Sequence, residues 1–504
     1  MSITTAVFSA VLLLSFAAGA AASFFIRNVS DYYVAGGRMP WYLLTGTFLA
    51  SNVSAGLFLG ATNMAGTNGY SIWSSYVPTS IGFLIAIAFV GVMVRRLSRH
   101  YEVYDFADIL AARYSSRSVQ VRTLSAVLLA VVYIPILGAQ FIALASIASV
   151  IFGLSYQVSV GVIVLLVVGY TLLGGMLGVI WSDGLQLLVL FLGLVLAVPI
   201  GMNALGNGDS AKAWEDISAI SSTLFDWTTP HWPWYVAVGQ LFWLFAVPVQ
   251  PHLVTRFLTA RDEKTILISL PVCLVAGLVI YSSSVPIGLL GRLTSPELGA
   301  GEYYYIELAT HHLGAWLGAF ALAGIAAAAL STCSTVLIVS GQSFSRELCE
   351  HWLFPNASQR QTLWLARVGV LLVGIVGFVI AVYQPLGIFW LVVLSASLLA
   401  AVYFVPLIAG FTFPGASAAG AIAAMMLGGL TTLAVFSVNE LLDAHYFISE
   451  AFAGLIASVV GMWYFSRRFP SSAAERDAYE KCWTREEPPA GLQRHGVESS
   501  IENF

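Results

Sequence analysis

The chain has 504 residues, of which 58% are hydrophobic and only 10% are charged. Water-facing surfaces need far more charge than this, so a set of soluble domains is excluded and the membrane is the expected solvent. The formal net charge of −4 says little about partners, because most of the charged residues fall between apolar runs. The four cysteines have no short paired spacing, so a disulfide framework or a zinc site is not expected.

Thirteen apolar runs follow one another along the chain. A hydrocarbon core about 30 Å thick needs roughly 20 apolar residues per helical crossing. The runs cover residues 3–25, 41–66, 70–94, 123–151, 157–180, 184–203, 233–255, 266–290, 312–343, 365–383, 385–411, 416–436 and 447–466. The first run lacks the basic start and cleavage site of a signal peptide, so we expect a spanning helix there. The sequence therefore predicts an all-α membrane protein with about 13 transmembrane helices.

The basic residues predict the orientation of these helices. Short cytoplasmic loops collect Lys and Arg. With the N-terminus outside, the inner loops and the tail receive all of the 22 Lys and Arg residues except Lys212 and Arg292, and Arg256 counts among the inner-loop residues. We expect a multi-pass protein of the cell inner (plasma) membrane with the N-terminus outside and the C-terminus in the cytoplasm. The basic loop 95–122 either contacts anionic membrane lipid or serves topogenesis alone, which we favour, and nucleic acid is not an expected partner.

Two of the runs contain residues that interrupt a helix. The second run carries Ser51, Asn52 and Ser54 among small residues, and the seventh carries Pro248. Proline removes a backbone donor, and freed carbonyls in a membrane need partners, of which a dehydrated cation is one. Each run heads five crossings and they start on opposite sides, which is the geometry of an inverted five-plus-five repeat. The alternative is that the small residues only allow close helix packing.

The ninth run contains a group of hydroxyls. Ser331, Thr332, Ser334 and Thr335 lie within five residues, and three of them share one helical face at i, i+3 and i+4. Such oxygens are ligands for hard cations. Hydroxyls in membrane helices also bond back to the carbonyl four residues earlier, and this alternative would satisfy some of them without an ion.

Asp183 lies near the end of an apolar run with no Lys or Arg close to it in the sequence. An acid inside the membrane is a functional hypothesis by default. The alternative is a solvated carboxylate in the short loop between the fifth and sixth runs.

Four segments in this order resemble the sodium/solute symporter family, which contains bacterial proline, pantothenate, sialic acid and sugar symporters. They read DYYVAGGRMPWYLLTGTFLASNVSAGLFLGATNMAGTNGY, YTLLGGMLGVIWSDGLQ, VQPHLVTRFLTARDEK and ALSTCSTVLIVSGQSFSREL. The resemblance extends over residues 30–470 and is nearest to the proline and pantothenate branches. It implies a LeuT-like core of two five-helix inverted repeats, with one N-terminal and two C-terminal flanking helices.

The resemblance also implies sodium as the coupling ion, bound between the first and eighth core helices. The ligands of this first site would be three backbone carbonyls and two hydroxyls, those of Ala50, Val53, Ala328, Ser331 and Thr332. Some relatives hold a further sodium with an acid on the fifth core helix. The matching oxygen-bearing residues are Asp183, Ser331, Ser334 and Thr335, so the number of ions stays open.

We expect the solute pocket beside the sodium, between the two broken helices. The candidate residues are Asn52, Gly56, Leu57, Trp73, Trp243 and Phe245. The aromatic rings would shield a solute from water, although Trp and Phe are also ordinary membrane filler. No buried Lys or Arg is evident there, so a carboxylate on the solute would need helix N-terminal amides or sodium as its counter-charge. Asn52 stands where proline transporters carry an Asp, which weakens an assignment to proline.

These features predict a sodium-coupled importer that works by alternating access and is not an enzyme. The expected solute is a small organic molecule, either pantothenate, a proline-like compound or another small organic acid. A sugar or sialic-acid-type sodium symporter and a membrane channel are the alternatives. The predicted parts are an N-terminal flanking helix with its inner loop (1–40), two inverted repeats (41–205 and 206–411), C-terminal flanking helices (412–466) and a cytoplasmic tail (467–504).

Overall fold

A computed structural model of the chain describes residues 2–25, 29–54, 56–230, 232–295, 304–343, 358–442 and 449–484. These residues form helices and two isolated β-bridges, which pair Met39 with Ala260 and Thr229 with Trp232. Ten helical runs among them are long and apolar enough to cross a membrane. The predicted all-α membrane class is confirmed.

The long α-helices of the described residues lie on the predicted apolar runs, while several short ones lie outside them. In chain order they are α1 Ile3–Ser23, α2 Val29–Val34, α3 Trp41–Asn52, α4 Thr62–Asn68, α5 Trp73–Ile85, α6 Val92–His100, α7 Phe106–Arg113, α8 Ser118–Phe152, α9 Tyr156–Leu205, α10 Ser210–Ile220, α11 Trp234–Gly239, α12 Trp243–Ala246, α13 Pro251–Thr259, α14 Glu263–Thr294, α15 Tyr304–His311, α16 Gly314–Ser343, α17 Gln359–Tyr383, α18 Ile388–Leu399, α19 Val405–Thr412, α20 Ala418–Leu441, α21 Glu450–Arg468 and α22 Ala473–Trp483. Those outside the runs are α2, α7, α10, α15 and α22. A π-helical segment, Gly56–Ala61, leads into α4.

The helix α9 contains two apolar stretches, Tyr156–Leu172 and Met176–Leu205. The first runs antiparallel to α17. The Tyr156 hydroxyl donates to the Ala381 carbonyl at one end, and Arg367 Nε donates to the Leu172 carbonyl at the other.

The second stretch of α9 runs antiparallel to α16. Near its start Asp183 contacts Ser331, and further on Gly193 packs against the backbone of Phe320. These contacts place Asp183 within a buried crossing rather than in a solvated loop.

The helices α16 and α17 are themselves antiparallel, because Gly341 packs against Val370 while Leu337 lies beside Gly374. These contacts give the two stretches of α9 opposite directions relative to α16. They agree with the predicted pair of crossings, 157–180 and 184–203.

Both predicted interruptions are present. α3 ends at Asn52, and Val53 takes an extended conformation with ψ of 103°. In the second interrupted crossing, short helical pieces lead to Gln250, which is extended with ψ of 112°, before Pro251 starts α13. Proline is well suited to the first position of a helix because the missing N–H would have no partner there.

The flanking helices pack against this core. Gln186 Nε2 on α9 donates to Ser15 Oγ on α1 at 2.9 Å, while α20 packs through Gly428 against the Ala401 backbone and through Thr432 against Gly454 of α21. α9 ends at Leu205 and α19 at Thr412, next to the boundaries predicted for the two repeats.

Close packing between α14 and α4 depends on Gly288. A Cβ at this position would lie 2.1 Å from the Thr62 carbonyl oxygen, and backbone cannot move aside cheaply. We expect Gly288→Ala to destabilise the protein by about 1–3 kcal/mol, the usual cost of overpacking. Gly161→Ala is the matched control, because a Cβ there meets nothing within 4 Å. Thermal unfolding in detergent should give a lower midpoint for Gly288→Ala alone, and equal midpoints would refute the packing argument.

The tail helix α22 is docked rather than solvated. Arg113 is buried and donates to the carbonyls of Gly410 and Glu475, which joins α7 to α19 and α22. Trp483 Nε1 donates to the Phe411 carbonyl at 2.8 Å. Cys482 is fully buried, and burial raises the pKa of its thiol to about 12. The first part of the tail is therefore a packed element on the face where α6, α7 and α19 end.

Candidate functional site

A partly open cavity lies where the two interrupted crossings meet α5, α14, α16 and α18. Its empty space is about 610 Å³, which includes space open to solvent. Its polar lining consists of hydroxyl, amide and imidazole groups from Ser51, Asn52, Ser54, Ser75, Tyr76, Thr79, Gln250, His252, Tyr281 and Thr332. None of the described lining residues is Asp, Glu, Lys or Arg. The cavity therefore offers hydrogen bonds from several directions without a formal charge.

The end of α3 and the hydroxyl-bearing part of α16 are in direct contact. The Thr332 hydroxyl lies 3.3 Å from the Ser51 carbonyl oxygen and 3.2 Å from that of Ala328. Ala50 and Val53 are buried at the same break. An α-helix leaves its last four carbonyls without helical partners, so the break supplies backbone oxygens next to the α16 hydroxyls.

The part of α16 from residue 321 to residue 341 is buried, so its hydroxyls face protein. Ser334 donates to the Ser331 carbonyl at 3.1 Å, and Thr335 donates to the same carbonyl at 2.9 Å. The back-bonding alternative, a bond to the carbonyl four residues earlier, thus holds for Thr335 and also for Thr332, which donates to the Ala328 carbonyl at 3.2 Å. A hydroxyl that donates its proton in this way still has oxygen lone pairs that can accept a hydrogen bond or bind a cation.

Asp183 lies beside this cluster at zero exposure. Its Oδ1 accepts from Ser331 Oγ at 2.6 Å, and its Oδ2 accepts from the Thr47 hydroxyl. The same Oδ2 lies 3.1 Å from Arg256 Nη2, in a fully buried ion pair. The predicted proximity of Asp183 to the hydroxyl cluster is found.

The structure corrects the location that the sequence analysis gave to Arg256. It was counted as an inner-loop residue, yet it lies within α13 with no exposed side-chain surface. Its Nη2 donates to Ser51 Oγ at 2.7 Å and to Thr335 Oγ1 at 2.5 Å, in addition to Asp183. The positive-inside rule reads an Arg after an apolar run as a loop residue and takes no account of a buried acid that could pair with it.

The second break is held by a hydrogen-bonded pair on α8 and α13. The Tyr133 hydroxyl accepts from the His252 backbone N–H at 2.8 Å and lies 2.9 Å from His252 Nδ1. This contact satisfies a backbone donor at the start of α13, which no helical carbonyl can reach.

Three of the predicted solute residues line the cavity: Asn52, Gly56 and Trp243. Trp73 and Phe245 do not. The Trp73 ring packs against Tyr76, and the Phe245 ring packs against Phe404 with centroids 5.0 Å apart. The side chain of Leu57 lies outside the described residues.

Several cavity residues were not predicted. Tyr281 on α14 donates from its hydroxyl to Asn52 Oδ1, and Gln250 occupies the second break. Neither was singled out from the sequence, although Tyr281 precedes three serines and Gln250 stands between Val249 and Pro251. The extended ψ of Gln250 follows from the Pro251 after it, since a residue before proline is pushed out of the helical region; that signal was available in the sequence.

The sequence profile of the sodium:solute symporter family matches residues 32–428. The chain belongs to the sodium:solute symporter family. Its relatives include the sodium/proline symporter of Escherichia coli (strain K12), 25% identical over 93% of this chain and 94% of the relative. The sodium/pantothenate symporter of the same strain is 25% identical over 86% of this chain and 90% of the relative.

A solved structure of a Na⁺-coupled sialic acid symporter in a substrate-bound outward-open state has the same fold. Its TM-score is 0.75 at 19% identity, with 94% of this symporter and 99% of the other chain covered. Mhp1, a nucleobase-cation-symport-1 family transporter in a closed conformation, is more distant, with a TM-score of 0.52. The predicted LeuT-like fold is confirmed.

Family membership confirms the predicted function at the level of class. The protein is a sodium-coupled symporter of a small solute, neither an enzyme nor a channel, and it is a multi-pass inner membrane protein.

Proposed function

We propose that this symporter binds a coupling sodium where α3 ends against α16 and binds its solute in the adjoining cavity. The sodium ligands are the carbonyls of Ala50, Val53 and Ala328 and the hydroxyls of Ser331 and Thr332. The observation that carries the proposal is Thr332, whose hydroxyl lies 3.3 Å from the Ser51 carbonyl oxygen at the end of α3 while the residue also lines the cavity.

This arrangement couples ion and solute through shared walls. Ser51 and Thr332 belong both to the ion region and to the cavity lining. An ion that draws α3 and α16 together therefore shapes the solute site. Binding of one ligand would favour binding of the other, because each stabilises the same conformation.

The driving force is sufficient for import. Each sodium that moves inward yields about 2.3 kcal/mol per 100 mV, and a tenfold gradient adds roughly 1.4 kcal/mol. One ion therefore supports roughly 500-fold accumulation of a neutral solute.

The lining favours a small organic solute that is rich in hydrogen-bonding groups, either a small organic acid or an amino-acid-like compound. A carboxylate would find no Arg or Lys among the described lining residues, so the sodium and the half-helix that starts near Gly56 would supply its counter-charge. The curated relatives carry proline and pantothenate in their names, in keeping with this class. We also propose the N-outside orientation given by the basic residues.

The test uses protein reconstituted in liposomes with an inward sodium gradient. Labelled proline, pantothenate and other small acids and amino acids are offered in turn, each with sodium and with potassium. We expect accumulation above equilibrium for one class of solute with sodium only. Equal uptake in both salts, or uptake that stops at equilibrium, would overturn the proposal.

Tyr281 provides a specific prediction for the solute site. Its hydroxyl donates to Asn52 across the cavity, between α14 and α3. Tyr281→Phe leaves the half-buried Asn52 amide short of a partner, which costs about 1–2 kcal/mol, so the solute concentration at half-maximal uptake should rise roughly 5- to 30-fold. The sodium dependence should stay the same.

Tyr305→Phe is the matched control for this change. Tyr305 is also buried, and its hydroxyl donates to the Gly193 carbonyl away from the cavity. A similar rise in both variants would show that the effect is structural and not specific to the solute site.

A further inference from the structure

The residues expected to hold a second sodium are already in contact with a cation. Arg256 Nη2 lies within 3.1 Å of Asp183 Oδ2 and within 2.5 Å of Thr335 Oγ1. These are two of the four residues in that set. The remaining two, Ser331 and Ser334, donate to the Asp183 carboxylate and to a backbone carbonyl.

We infer that Arg256 is a built-in cation that takes the place of a second sodium, so that this symporter binds one sodium per transport cycle. The inference rests on the proposed first sodium site. It fixes the ion stoichiometry, which family membership leaves open.

The charge balance of the buried cluster supports one cation beside Asp183. Both side chains of the pair have zero exposure, so water does not screen them. A guanidinium stays protonated under all physiological conditions. A sodium added to the same carboxylate would face this fixed positive charge at close range, where charges repel far more strongly than in water.

The guanidinium is also held from several sides. Its Nη2 contacts α9, α3 and α16 through Asp183, Ser51 and Thr335, and its Nη1 lies 3.2 Å from the Met176 sulfur. A planar group with fixed donor directions suits such a site better than a flexible ammonium does. Arg256 thereby links α13, which follows the break in the second interrupted crossing, to α3, which precedes the break in the first. A second ion in the same place would make the same link.

Binding one sodium instead of two reduces the greatest solute accumulation that the symporter can reach. One sodium supports roughly 500-fold accumulation of a neutral solute under the conditions given above, whereas two would support on the order of 10⁵-fold.

The experiment counts sodium ions directly on the purified full-length protein. Equilibrium dialysis with ²²Na⁺ gives moles bound per mole of protein at saturation, with no need for the solute. We expect one ion for the wild type and two for Arg256→Gln, since the neutral amide frees Asp183 to take the second ion. The double variant Arg256→Gln/Asp183→Asn should return to one.

Each possible count of bound sodium either supports or contradicts the inference. Two ions on the wild type would overturn the inference, and so would a single ion on folded Arg256→Gln. No ion on the wild type would instead overturn the proposed first site. If Arg256→Gln does not fold, Asp183→Asn decides in its place: a count of one shows that the single ion does not depend on this carboxylate, and a count of zero contradicts the inference.

Discussion

Thr332→Ala should raise the sodium concentration for half-maximal uptake by roughly 10- to 150-fold. The substitution removes a hydroxyl that lies between the Ser51 and Ala328 carbonyls without changing the helix around it. A polar contact with a charged group contributes about 1.5–3 kcal/mol, which corresponds to this range. Uptake would be measured over a series of sodium concentrations at constant ionic strength, with sodium binding to the purified protein as a second measurement.

Two further variants test whether the effect belongs to the ion. Thr332→Ser keeps the hydroxyl and should retain most of the sodium affinity. Thr171→Ala removes a buried hydroxyl that is bonded back to the Val167 carbonyl on α9, and should leave the sodium dependence unchanged. An unaltered sodium dependence in Thr332→Ala would remove the main support for the proposed site.

The sequence predicts the parts of the site that local composition marks. Small and polar residues are costly in a membrane helix unless protein or an ion satisfies them, so the trio at the end of α3 and the hydroxyls of α16 could be recognised without coordinates. The structure brings Ser51 and Thr332 together across two helices. Their use as sodium ligands stays a prediction.

Other parts depend on the three-dimensional arrangement. The pairing of Arg256 with Asp183 joins residues 73 positions apart, and neither has an unusual neighbour in the sequence. Trp73 was expected to face the cavity, but the π-helical segment Gly56–Ala61 and the 3-10 turn before α5 shift the helical register. Side-chain direction cannot be counted from an unbroken 3.6-residue period across such segments.

The alternative of a solvated Asp183 in a short loop is wrong for a related reason. The polar pair Ser182 and Asp183 interrupts the apolar run and therefore suggested a loop. In the structure Ser182 donates to the Val179 carbonyl, and Asp183 is paired with buried donors. Polar residues can remain inside a membrane crossing when neighbouring helices supply their hydrogen-bond partners. The composition of the crossing itself does not show whether such partners exist.

Breaking the Asp183–Arg256 pair from one side should destabilise the protein by about 3–5 kcal/mol, because a buried charge is left without its partner. Asp183→Asn leaves the guanidinium uncompensated, and Arg256→Met leaves the carboxylate uncompensated. The double variant removes both charges and should lose much less stability than the sum of the two single variants. Unfolding of the wild type, the two single variants and the double variant in detergent would therefore give a large coupling free energy.

The exposed pair Lys481–Asp477 on α22 is the control, since its charges lie 2.7 Å apart in water-accessible positions and should couple by only about 0.3–0.5 kcal/mol. Additive losses at Asp183 and Arg256 would mean that the two charges do not stabilise each other, and the fixed-cation role of Arg256 would fail with them.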